Sequence, residues 1–124
     1  MSDAEVQARF KSDDARKAYQ LLMQEARSVG FEFHYPNSRA KAVEFEEVDG
    51  ERPFSAIANN AHLLFYLRQP VLRRLPGLFD RATTRFGEVK PNKRGEYRKK
   101  VHNALELKEL LDWLKETGAW KRRP

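Results

Sequence analysis

The chain has 124 residues, with 24 Lys and Arg against 18 Asp and Glu and a formal net charge of +6. It contains no cysteine, which excludes disulfides, thiolate zinc sites and Cys nucleophiles. Its length suits one compact domain over residues 1–124, and eight Phe, four Tyr and two Trp supply the volume of a core.

No apolar segment follows a basic end behind Met1, and no apolar run approaches the length of a membrane span. The expectation is a cytoplasmic protein with no membrane partner.

In chain order, Ser2 with Glu5 three residues on is a capping box, and Ser12-Asp13-Asp14 offers a second helix start. Tyr19, Leu22, Met23 and Ala26 follow at the spacing of a buried stripe, and Gly30 stands where a helix ends. Residues 3–29 therefore read as one helix or two, broken near Ser12.

Residues 31–35 and 41–48 alternate apolar and polar side chains, the period of a half-buried strand. Val43 and Phe45 share one face, and Ala42, Glu44 and Glu46 share the other. Asp49-Gly50 predicts a type I′ hairpin turn into a strand over 52–58, with Pro53 at its start. Asn59-Asn60 predicts a second tight turn, because Asn tolerates the left-handed region. The next run, 61–68, holds Leu63, Leu64, Phe65, Tyr66 and Leu67, apolar on both sides. It reads as an interior strand covered on both faces. These four strands form an antiparallel meander.

Pro70 suits a first helical turn, and Pro76-Gly77 breaks the stripe of Leu72, Leu75, Phe79, Ala82 and Phe86. A short turn at 70–75 and a helix at 77–86 are expected, then a loop over 88–94. A fifth strand over 96–102 places Tyr97 and Val101 inward, and Arg98, Lys100 and His102 outward. Asn103 caps a last helix whose stripe is Leu107, Leu110, Leu111 and Leu114, ended by Gly118. Trp120 is placed to fold back on the core, and 121–124 reads as a frayed basic tail. The fold class is α+β: an N-terminal helix, a four-stranded antiparallel meander, a helix, a fifth strand and a C-terminal helix.

The charge is unevenly placed. Residues 1–60 hold eight Lys/Arg and eleven Asp/Glu, a net of −3, whereas 68–102 hold eleven and three, a net of +8. A concentrated basic segment suits an anionic partner. The expected function is a non-enzymatic nucleic-acid-binding module. Arg73, Arg74, Arg81, Arg85, Lys90, Lys93, Arg94, Arg98 and Lys100 would grip phosphates, and Tyr97 would stack on a base. DNA and RNA are not distinguished. The alternative is a protein-interaction module, an inhibitor, adaptor or self-associating subunit, that presents the same face to an acidic protein. The plain counter-reading is a solvated basic face that keeps the protein dispersed.

Chemistry has weaker support. Asp80, Glu88 and Lys90 imitate the spacing of a metal-dependent nuclease, but Pro91 puts the Glu-x-Lys pair in a loop rather than a strand. His34, His62 and His102 lie on predicted strands without a short metal-ligand spacing. The glycines form no phosphate loop, and Ser38 and Ser55 lack an elbow. No cofactor or metal is implied. The acidic run Glu44, Glu46, Glu47, Asp49 and Glu51 reads as charge that protects a hairpin edge, with binding of a cation or a basic protein as the other reading. The Phe-Ser strand, the Leu-Phe-Tyr-Leu strand and the Gly-Glu-Tyr strand before a Leu-rich helix resemble small bacterial domains. The likeness carries no motif that assigns residues or an activity.

Overall fold

The structure is a computed structural model that describes residues 1–122. Two helices lead, α1 (Asp3–Arg9) and α2 (Asp13–Val29). The break between them is the one Ser12 announces: its hydroxyl accepts from the Ala15 N–H at 3.2 Å and restarts the helix. Gly30 closes α2 at a φ of 102°, a backbone that side chains rarely adopt.

Five strands follow in one antiparallel sheet: β1 (Glu32–His34), β2 (Ala42–Glu46), β3 (Phe54–Ala58), β4 (Leu63–Leu67) and β5 (Tyr97–Val101). They lie side by side in sequence order, so β1 and β5 are the edges. Between β4 and β5 stand α3 (Gln69–Arg74) and α4 (Leu78–Phe86), and α5 (Ala104–Thr117) comes last. This is the expected α+β order, with the 70–86 segment split at Pro76-Gly77. No helix among the described residues is long and apolar enough to cross a membrane.

Register fixes which side chains enter the core. Val43 pairs with Ala56, Ala56 with Phe65, and Phe65 with Lys99, all on the face covered by α1, α2 and α5. Phe31, Phe45, Phe54 and Phe65 surround Trp120, whose ring centre lies 5.2 to 6.4 Å from theirs. Trp120 thus folds back as its position suggests, and Arg122 runs on beside Gly30. Of the expected tail, Arg123 and Pro124 lie outside the described residues. The four leucines of the α5 stripe are buried, each contributing about 1.5–3 kcal/mol.

Three local expectations need correction. The hairpin after β2 forms, but not through a type I′ turn: only Gly50 has positive φ, and its N–H donates to Glu47 O at 2.9 Å. Residues 59–62 turn without a left-handed Asn. The Asn60 carbonyl instead accepts from the N–H groups of Lys11 and Ser12, which ties the α1–α2 joint to the sheet. Finally, β4 is interior but covered on one face only. Leu64 and Tyr66 stay partly exposed because every helix packs on the opposite side.

Candidate nucleic-acid interface

The basic segment winds around the edge strand β5. Gly77 and Gly87 bound α4 with positive φ, so the helix starts and stops abruptly and the chain returns along β5. The Tyr97 hydroxyl pins this return by donating to Gly87 O at 2.7 Å, with Ala82 O at 3.3 Å. Tyr97 is only 1% exposed and meets Phe79 edge-on, so it is inward as its strand parity predicts and is not the stacking residue expected among the cations around it. An inward strand residue beside a helix is claimed by the core.

Arg74 is also removed from the surface set. Its guanidinium donates to both carboxylate oxygens of Glu47 and to Glu51 at 2.7 Å, and these partners outweigh burial to raise its pKa. Glu47 is buried. Arg68 is held the same way, by Glu44 at 2.7 Å and by Glu96 at 3.4 Å. The acidic run is therefore not edge protection. Strand β2 is not an edge, Glu44 and Glu46 pair with Arg52, and the convergence of Glu47 and Glu51 already holds the cation Arg74.

The other predicted cations have no such partner. Arg73, Arg81, Arg85, Lys90, Lys93, Arg94, Arg98 and Lys100 make no salt bridge to a carboxylate among the described residues, and all but Arg98 are exposed. Arg81 and Arg85, one turn apart on α4, line a depression of about 470 Å³ with Asp80, Thr84 and Trp113. Lys90, Arg98, Lys99 and Lys100 line a second of about 410 Å³ around β5, with Leu64 and Phe86. Arg98 donates to Lys90 O at 2.7 Å, which fixes the loop against the strand. Phe86 joins the two depressions, because its ring packs edge-on against Trp113 at 5.3 Å. Arg73 stands apart on α3, and Lys93 and Arg94 face a separate hollow on the uncovered side of the sheet.

Two residues of this patch escape the sequence reading. Lys99 has the inward parity of Tyr97 and Val101, and a cation there is tolerable only at an edge, where its ammonium lies 5.5 Å from the Phe86 ring centre. Trp113 lies off the leucine stripe of α5 and remains half-buried. An aromatic outside its helix's stripe was the available signal. Asp80 and the Glu88–Lys90 pair line different depressions. His62 and His102 rings lie 5.9 Å apart, while His34 meets Glu44 across the sheet.

No protein-family model matches the chain, and neither a curated protein nor a solved structure matches it, so the patch is interpreted from its own residues.

Proposed function

We propose that the protein binds nucleic acid, favouring single-stranded stretches, along the surface that runs from α4 around the edge of β5. The observation that supports this is a run of cations that make no salt bridge to a carboxylate among the described residues, Arg81, Arg85, Lys90, Arg98, Lys99 and Lys100, interleaved with the partly exposed rings of Phe86 and Trp113. Cations supply sequence-independent grip on phosphates, and aromatic faces accept unstacked bases of any identity. Edge protection alone would explain Lys99 and Lys100 on a strand but not Arg81 and Arg85 on a helix. The role is binding: Tyr97 is structural here, and the stacking position passes to Trp113.

Fluorescence anisotropy with labelled single-stranded and duplex oligonucleotides tests the proposal across a salt series. Affinity should fall linearly on a log–log plot, each neutralised phosphate of a single strand contributing about −0.7 to the slope. Absence of binding at low salt, or binding indifferent to salt, would count against it. Equal competition by an acidic protein or polyglutamate would favour a protein partner instead.

A further inference from the structure

The uncovered face of the sheet has an organisation that the polymer-binding patch does not use. One register row crosses all five strands: His34 opposite Glu44, Glu44 opposite Ser55, Ser55 opposite Tyr66, and Tyr66 opposite Arg98. The neighbouring row is apolar in the middle, with Ala42 opposite Ile57 and Ile57 opposite Leu64. Small side chains at Ala42 and Ser55 leave a hollow of about 350 Å³ over β2 and β3. It is walled by Pro36, Ser38 and Ala40 on one side and by the 92–96 loop on the other. Its size falls at the lower end of small-molecule sites, and it combines an apolar floor with few convergent polar groups as such sites do.

The polar groups are held in place. Arg68 uses Nη1 on Glu44 and Nε on Glu96, and makes no bond through Nη2 among the described residues. The side chain of Glu96 is 5% exposed, and Asn92 Nδ2 also donates to it at 3.0 Å. Asn92 Oδ1 in turn accepts from the N–H groups of Arg94 and Glu96, both at 3.0 Å, so the rim bearing Lys93 and Arg94 is built rather than loose. Ser55 and Tyr66 hydroxyls make no hydrogen bond among the described residues, and Glu44 keeps lone pairs beyond those used by Arg52 and Arg68. The hollow thus offers a carboxylate beside a guanidinium and a hydroxyl, a flat floor of Ala42, Ile57 and Tyr66, and two cations at the mouth. Four cations, Arg52, Arg68, Lys93 and Arg94, stand around this hollow and its continuation against Glu44, Glu96 and the Glu46 that also pairs with Arg52; Lys93 and Arg94 at the mouth make no salt bridge among the described residues, which suits an anion.

We infer that this hollow is a mononucleotide site. The base lies on Ala42, Ile57 and Tyr66, its hydrogen-bonding edge meets Glu44, Ser55 and Arg68, and its phosphate meets Lys93 and Arg94. A base edge presents donors beside acceptors, which matches a carboxylate beside a guanidinium. A phosphate alone would use the mouth and leave the floor unused. The site is separate from the α4–β5 patch and does not depend on the polymer reading.

Isothermal calorimetry with the four ribonucleoside 5′-monophosphates, ribose 5-phosphate and inorganic phosphate tests it. At least one nucleotide should bind tenfold or more tightly than ribose 5-phosphate or phosphate. Ile57→Trp, which fills the hollow, and Arg94→Glu should each weaken that nucleotide about tenfold, and the Arg81→Glu/Arg85→Glu pair should leave it unchanged. Ser55→Leu fills the same space from the same strand, should Ile57→Trp fail to give a native circular-dichroism spectrum. Nucleotides binding no better than phosphate, no binding at all, or affinity that survives filling of the hollow would each overturn the assignment. Oligonucleotide affinity, measured separately, reports on the other patch alone.

Discussion

Arg85 and Lys99 lie against the same ring. The Arg85 guanidinium carbon is 4.9 Å from the centre of Phe86, and the Lys99 ammonium is 5.5 Å from it. One residue comes from a helix and the other from the edge strand, so Phe86 joins the two halves of the basic patch. Cations held on an aromatic face keep their charge available to a ligand while losing little freedom when it binds. Arg85→Glu and Lys99→Glu should therefore each weaken oligonucleotide binding to a similar extent for every sequence. Replacement by Gln should reduce the salt slope by about 0.7 for each single-strand phosphate that is no longer neutralised. Anisotropy titrations at three or more salt concentrations check this. Variants that bind like the parent would place the polymer elsewhere.

Arg74 should behave in the opposite way. Its partner Glu47 has a side chain with no exposure, and Arg74 itself is 18% exposed. Arg74→Ala removes a buried pair and should cost about 3 kcal/mol of stability in urea unfolding, because breaking such a pair leaves charge poorly compensated. Oligonucleotide affinity measured well below the unfolding transition should not change. An affinity loss as large as that of Arg85→Glu, with stability intact, would return Arg74 to the binding surface.

These two arginines show where reading the sequence succeeds and where it stops. Order and type of the elements follow from local signals: Ser2, Ser12 and Asn103 each cap the helix they precede, and Gly30 and Gly118 each end one. Alternation in 41–48 also gives the correct inward face, Val43 and Phe45. Pairing between distant segments leaves no such local trace. Arg73 and Arg74 are neighbours of the same chemistry, yet only Arg74 meets the β2–β3 hairpin, 23 residues away at Glu51 and 27 at Glu47. The uncovered sheet face was hidden for the same reason. Leu64 and Tyr66 look like core by composition, and only the packing of all helices on one side shows that they line a surface.

Tyr97→Phe separates a structural tyrosine from a stacking one. The hydroxyl donates to Gly87 O at 2.7 Å, and burial raises its pKa above that of a free phenol. Its loss should cost about 1 kcal/mol, or somewhat more because the Gly87 carbonyl loses a partner. Nucleic-acid affinity should be unaffected. Trp113→Ala should do the reverse, weakening single-strand binding more than duplex binding, with base stacking worth about 1–3 kcal/mol. Urea unfolding and anisotropy on the two variants give the answer, and a Tyr97→Phe protein with parental stability but weakened binding would contradict the arrangement.

The basic edge should also be visible in a histidine titration. Burial lowers the His62 pKa below its ordinary value, and the charges of Lys100 and His102 lower it further. A folded-state pKa below the unfolded one means that the unfolded chain takes up its proton first as pH falls. The His62 contribution to stability is therefore fully present above about pH 6.5 and declines as pH falls from there toward the folded-state value. Lys100→Gln removes the larger of the two charge effects and should raise the His62 pKa, though not to that of a free imidazole, because burial remains the larger cause. A polyanion bound along β5 should raise it too, by offsetting Lys100, and so oligonucleotide affinity should increase as pH falls below about 6.5 and protons are taken up. Two-dimensional NMR of the histidine ring protons across this range follows both effects directly. If His62 titrates at or above about 6.5 in the free protein, or ignores both Lys100→Gln and the oligonucleotide, then the field assigned to the β5 edge is not there.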